Sequence, residues 1–314
     1  MTDLFGRTID YLRLSVTDLC NYRCIYCMNE DGVRKRPNSE ILSIEELTEI
    51  AAAAHALGVK KIRLTGGEPL VRRGVLTLCR NIKAIDPAIE LSMTTNGSLL
   101  ADMAYDLKDA DLDRLNISLD SLNPVTFRSI TRGGELSDVL RGIDAAEKAG
   151  FRNTKINAVL IGGVNDSDAF DLIRLTQDKE IGVRFIELMP LGVVSGWERE
   201  RFLSFAYIEG LLSSAEMLSY DGVARIYRLP GHKGTVGLIT PLSHSFCDRC
   251  NKIRVTGDGK LKPCLHSDAE VDLRGLHGEE LLNAIRSGIN AKPAHHTLGE
   301  HHSAAGRFMN EIGG

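Results

Sequence analysis

Between Tyr11 and Met189 the chain alternates short segments of period-two hydrophobicity with longer stretches of helical period, and this constrains its fold more than any other feature. The short segments are YLRLSVT, KKIRLT, IELSMTT, RLNISLD, TKINAVL and VRFIELM. Helical patterns occupy Ser43 to Leu57, Gly74 to Ala84, Leu136 to Ala149 and Ala169 to Asp178. Repeated β/α units predict a parallel sheet, and six units fall short of the eight that close a full barrel.

Strands buried on both faces should be apolar throughout. These alternate instead, and their second face carries Arg13 and Ser15, Arg63 and Thr65, Ser92 and Thr94, Asn116 and Ser118, and Lys155 and Asn157. An antiparallel sheet with one wet face would also alternate, but helix-length connections between successive strands do not suit it. With helices on the apolar face, the polar side chains line the inside of an open barrel, where cations need an anionic ligand or water. The reading is a polar cavity. The alternative partners for its cations are interior carboxylates such as Glu68 or Glu187.

After Met189 the pattern changes. Residues 192–201 read as loop, Ala206 to Ser214 as a helix, ARIYRL and TVGLI as strands paired around PGHKG, and NKIRV as a further strand. This predicts two domains, 1–190 and 191–314, the second ending in the polar tail HHTLGEHHSAAGRFMNEIGG. The paired histidines His295, His296, His301 and His302 read as solvated, as does the loop NEDGVRKRPN. A net charge of −4 disfavours nucleic acid as a partner, and no run supplies the roughly 20 apolar residues of a membrane helix. The expectation is a cytoplasmic protein without a membrane anchor, monomer or homodimer.

Six of the seven cysteines fall into two trios, Cys20/Cys24/Cys27 and Cys247/Cys250/Cys264, while Cys79 sits in an apolar run as a buried core residue. A structural zinc site usually takes four protein ligands. His266, two residues after Cys264, keeps a Cys3His zinc site open for the second trio; the first has no histidine nearby. A cubane iron–sulfur cluster held by three cysteines leaves one iron free to bind a ligand.

CNYRCIYCM follows the first strand and GGEP, residues 66–69, follows the second. Together they resemble the radical S-adenosylmethionine (SAM) superfamily, whose CxxxCxxC motif has an aromatic residue before the last cysteine, here Tyr26. With FCDRCNKIRVTGDGKLKPCL and the terminal IGG, the chain resembles, nearly end to end, the GTP 3′,8-cyclase family of molybdenum cofactor biosynthesis. The resemblance implies an α/β fold, an incomplete (β/α)6 TIM-type barrel with a smaller C-terminal α+β module closing its mouth. It also implies two [4Fe–4S] clusters, one on each cysteine trio.

The same resemblance implies that SAM binds the first cluster and contacts Tyr26, Gly67, Ser118 and Met189. GTP would bind Arg13, Arg63, Thr94, Lys155, Lys252, Ile253 and Arg254, with guanine on the second cluster. A 5′-deoxyadenosyl radical would take hydrogen from ribose C3′, and the carbon radical would attack guanine C8, making the enzyme a lyase. Partners implied are a one-electron reductant and, downstream, cyclic pyranopterin monophosphate synthase. Gly313 and Gly314 would thread into the cavity, where the ordinary reading of a terminal glycine pair is a frayed end. The chain departs from the family at Lys252, commonly arginine there, and at Asn29, often proline. Two other functions also fit a cysteine-rich chain: a peptide-modifying radical enzyme with an auxiliary cluster, and a metal-binding scaffold without catalysis.

Overall fold

The structure, a computed structural model, describes residues 1–33, 36–296 and 306–313. Strands and helices alternate as β1 (Tyr11–Ser15), α1 (Ile44–Ala56), β2 (Lys61–Thr65), α2 (Val75–Ile85), β3 (Glu90–Thr95), α3 (Leu100–Asp109) and β4 (Arg114–Ser118). They continue through α4 (Pro124–Thr131), α5 (Leu136–Lys148), β5 (Lys155–Leu160), α6 (Ala169–Asp178) and β6 (Gly182–Glu187). β1 to β6 pair in parallel and in sequence order. All six predicted strands are present.

The alternation within each strand sorts the two faces. Leu12, Leu14, Ile62, Leu64, Leu91, Met93, Leu115, Ile117, Ile156, Ala158, Val183 and Phe185 are all 0% exposed in one core beneath the helices. Burying one such side chain contributes roughly 1.5–3 kcal/mol, so a one-residue register slip, which would turn every one of them into the cavity, is strongly disfavoured. Helix α1 starts at a reciprocal cap: Glu46 N–H donates to Ser43 Oγ at 3.1 Å and Ser43 N–H to the Glu46 carboxylate at 2.7 Å. Cys79 is buried in the core, as its apolar setting predicts.

The later elements are α7 (Ala206–Leu211), β7 (Glu216–Asp221), β8 (Ala224–Arg228), β9 (Thr235–Ile239), β10 (Lys252–Val255), β11 (Lys260–Lys262), β12 (Val271–Asp272), α8 (Gly278–Asn290) and α9 (Met309–Ile312). They extend the barrel sheet at both edges rather than forming a sheet of their own. β9 pairs in parallel with β6, β10 in parallel with β1, and the full order is β12-β11-β10-β1-β2-β3-β4-β5-β6-β9-β8-β7. The predicted β8–β9 pair is antiparallel as expected. Among the described residues no helix is long and apolar enough to cross a membrane.

Candidate active site

The polar faces of β1 to β6 enclose one cavity of about 370 Å³, within the range of small-molecule sites. All six cysteines of the two trios line it. Cys20 follows β1 at its C-terminal end, whereas Cys250 lies just before β10, which runs parallel to β1. The trios therefore stand at opposite ends of the strands, facing the same hollow.

At the C-terminal end the two signature motifs hold each other. Gly67 N–H donates to Thr17 O and Glu68 N–H to Leu19 O, both at 2.8 Å. A Cβ on Gly66 would lie 2.3 Å from Thr17 O, and one on Gly67 2.3 Å from Leu19 O. The glycines thus admit the loop leading into Cys20, a closer demand on them than ligand approach alone. Glu68, fully buried, accepts from Leu70 N–H, Thr95 Oγ1 and Asn96 N–H, and burial lifts its pKa to about 7. Tyr26 donates to Asp120 at 2.8 Å. Burial pushes the Cys20 thiol up to about 11 and Cys27 to about 12, and Cys24 well above its ordinary value; the neighbouring thiols add to the shifts of Cys24 and Cys27. This is a dry pocket of mutually repelling would-be thiolates, which a positively charged iron centre would relieve.

The opposite end is cationic. Lys252 and Arg254 of β10 share a face with Tyr11 and Arg13 of β1 in matched register. Arg13, Arg63 and Arg254 are lowered by burial, and Lys252 falls to about 7 through burial and the nearby arginines, partly opposed by Cys250. Lys252 and Arg63 both lie over the Tyr11 ring, at 5.8 and 5.5 Å. Burial would raise Cys250, but Lys292 and Lys252 outweigh it and hold the thiol below its usual value. Lys292 is itself fixed by the Lys252 and Pro263 carbonyls at 2.8 Å. The Cys250 thiol is thereby readied to ligate an electrophilic metal.

Tyr26, Gly67, Ser118, Met189, Arg13, Arg63, Thr94, Lys252 and Arg254 all line the cavity, as the sequence reading expects. Two candidates do not. Ile253 points its side chain into the helix-side core at 0% exposure, because neighbours in a strand face opposite ways. Lys155 is engaged by Asp221, which also pairs with Arg184. The interior carboxylates anticipated as cation partners are occupied otherwise: Glu68 by the Leu70 and Asn96 amides and the Thr95 hydroxyl, and Glu187 by Ser243 and the Leu242 and Ser243 amides. Asp221, at the tip of the β7–β8 hairpin, is the acid that pairs with Lys155 and Arg184, while Glu90 pairs with Lys61 and Arg114.

Gly313 is threaded rather than frayed. Its carbonyl accepts from Arg254 at 2.9 Å and from Arg13 at 3.4 Å, its φ is +78°, and a Cβ there would lie 2.6 Å from Thr65 Oγ1. Gly314, His301 and His302 lie outside the described residues. His296 corrects the solvated reading: it lines the cavity, its N–H donates to Cys247 Sγ at 3.4 Å, and its ring meets His266 edge-on. Sequence reading also passed over Tyr11, Lys61, Arg114 and Arg184, which line the site. The period-two pattern that exposed Arg13 and Arg63 would have found Arg184 in VRFIE; Asp221, on a wholly exposed strand, left no such signal.

Among the described residues no three cysteine, histidine or carboxylate side chains converge on a single metal ion. The thiols instead border a hollow, three at each end, a donor set that fits a multi-iron cluster with one face open to the cavity.

Residues 14–176 match the Radical SAM superfamily, and residues 181–298 match Molybdenum Cofactor Synthesis C. The chain is 48% identical over 320 residues to the GTP 3′,8-cyclase of Alkaliphilus metalliredigens, covering 100% of both chains. It is 47% identical over 334 residues to that of Pseudomonas entomophila, covering 100% of this chain and 98% of the relative. This chain belongs to the GTP 3′,8-cyclase family. The membership implies the radical SAM equipment, a [4Fe–4S] cluster and SAM. Solved structures agree in fold. Streptococcus suis SuiB bound to S-adenosylmethionine matches with a TM-score of 0.63 at 14% identity, over 90% of this chain and 66% of that one. Coproporphyrinogen III oxidase (HemN) from Escherichia coli matches with a TM-score of 0.53 at 13% identity, over 85% and 67%. Both likenesses support the incomplete barrel.

Proposed function

We propose that this chain converts GTP to (8S)-3′,8-cyclo-7,8-dihydroguanosine 5′-triphosphate, the first step of molybdenum cofactor biosynthesis, as a lyase using two [4Fe–4S] clusters. The observation that carries this reading is the shared cavity with a cysteine trio at each end and a cationic set beside the second trio. When bound, a cluster with an open iron supplies the electron that cleaves SAM to the 5′-deoxyadenosyl radical. Everything else falls to the chain's own residues.

Cys20, Cys24 and Cys27 would hold the first cluster, and Tyr26, Gly67, Ser118 and Met189 would border SAM. Cys247, Cys250 and Cys264 would hold the second, beside the guanine. Arg13, Arg63, Lys252 and Arg254 come from three strands yet face one space, as cations receiving a triphosphate should; Thr94 completes the set, and Lys155 would join it only on leaving Asp221. Only the backbone of Ile253 could take part. Walls that exclude water protect a radical from side reactions, and fixed placement of C3′ decides the product. The same cation set suits a polyphosphate better than the neutral backbone of a peptide. The division of the chain near residue 190, a cytoplasmic location, a one-electron reductant and hand-over to cyclic pyranopterin monophosphate synthase belong to the same proposal.

The test is anaerobic incubation of the reconstituted protein with reductant, SAM and each nucleoside triphosphate in turn. GTP alone should yield both 5′-deoxyadenosine and a cyclised purine. Turnover with ATP equal to that with GTP, or none with GTP, would overturn the reading.

A further inference from the structure

Asn116 sits at the middle of β4, is 0% exposed and lines the cavity, yet neither its Oδ1 nor its Nδ2 finds a protein partner among the described residues. A buried amide left unpaired costs about 1–3 kcal/mol per group, so such a side chain asks for a ligand that satisfies it. It has company. Thr94 Oγ1, its register neighbour on β3, and Asn157 Oδ1 on β5 are also buried without a hydrogen bond. These groups are neutral, and they form a belt. Two residues along β4 in one direction is Ser118, toward the sulfur end; two in the other is Arg114, toward the cations.

The belt lies where a hydrogen on substrate must meet the radical source, and the neutral part of a nucleotide that belongs there is its sugar. An amide offers one acceptor and two donors side by side, complementary to a vicinal diol in which each hydroxyl can give or take a bond. Resting on the reading of GTP as substrate, we propose that Asn116 holds the 2′- and 3′-hydroxyls of the substrate ribose, aiming C3′ toward the sulfur end and selecting GTP over 2′-deoxy-GTP. Asn116 is a positioning and specificity residue. SAM carries a ribose of the same chemistry, but it is held from the Ser118 end, one register step farther along the strand.

The experiment measures equilibrium binding of GTP, 2′-deoxy-GTP and SAM to the anaerobically reconstituted protein and to its Asn116→Ala and Asn116→Leu variants, without reductant. The native protein should favour GTP over 2′-deoxy-GTP by roughly tenfold or more. In both variants GTP should weaken by a similar factor and 2′-deoxy-GTP by much less, so that the ratio approaches one while SAM affinity holds. Equal native affinity for the two nucleotides, an equal loss of both in the variants, or a loss confined to SAM would each overturn the assignment and leave GTP as substrate. A native protein that binds neither guanine nucleotide would instead sink the substrate reading together with it. Leucine, with the same number and branching of side-chain heavy atoms as asparagine, separates lost hydrogen bonding from a cavity left by alanine; a fall in GTP affinity with alanine alone counts against the proposal.

Discussion

The two ends of the cavity carry the same inventory, three cysteines each, in opposite electrostatic settings. At the C-terminal strand ends burial dominates: Cys27 is pushed up to about 12, and the nearby carboxylates Glu68 and Asp120 rise to about 7 and about 6. At the N-terminal ends Lys292 and Lys252 overcome burial and bring Cys250 down. The difference teaches that three thiols do not define a role by themselves. On the proposed function, the first end would take up positive charge, an iron cluster and the sulfonium of SAM, and the second, already positive, would receive the anionic substrate.

If that contrast is right, the ends should fail differently. Cys24→Ala should abolish 5′-deoxyadenosine formation, measured by chromatography, while GTP still binds; a matching loss of GTP affinity would show that the ends are not independent. Cys250→Ala should lower cyclised product by roughly a hundredfold or more while SAM cleavage survives, since the loss is of substrate placement. Normal product yield would remove the second trio from the mechanism.

Smaller effects sharpen the cationic end. Gly313→Val inserts atoms where a Cβ already comes within 2.6 Å of Thr65 Oγ1, and it disturbs the carbonyl shared by Arg13 and Arg254. Cyclisation should fall by roughly tenfold with SAM cleavage retained; unchanged yield would return the tail to a passive end. Smallest is Asp221, whose pKa lies below its ordinary value because Arg184 and Lys155 outweigh burial. Its pairing contributes stability at neutral pH that fades as pH falls below about 4. The melting temperatures of the native protein and Asp221→Asn should therefore converge in acid, and because the carboxylate is half exposed the pairing is worth less than about 1 kcal/mol. A gap that widens in acid would reverse the sign of this account.

Much of this was legible in the residues. Period two placed the core and cavity faces of β1 to β5, and cysteine spacing marked both trios. Helix α8, with Leu281, Ile285 and Ile289 buried at helical spacing, was equally readable and was passed over. β7 was not readable, because every one of its residues is exposed and nothing in EMLSYD announces a buried face. Nor could local pattern reveal that the later segments flank the barrel sheet on both sides, since pairing of β10 with β1 joins residues some 240 positions apart. The pairing of Asp221 with Lys155 and Arg184 depends on that long-range docking. So does the seat of Gly313.

The most direct test of the two-ended cavity is metal analysis after anaerobic reconstitution. The native chain should hold about eight irons, and Cys24→Ala and Cys250→Ala about four each, with iron–sulfur absorption falling in step. One zinc per chain without that absorption, or a full complement of iron in either variant, would contradict it.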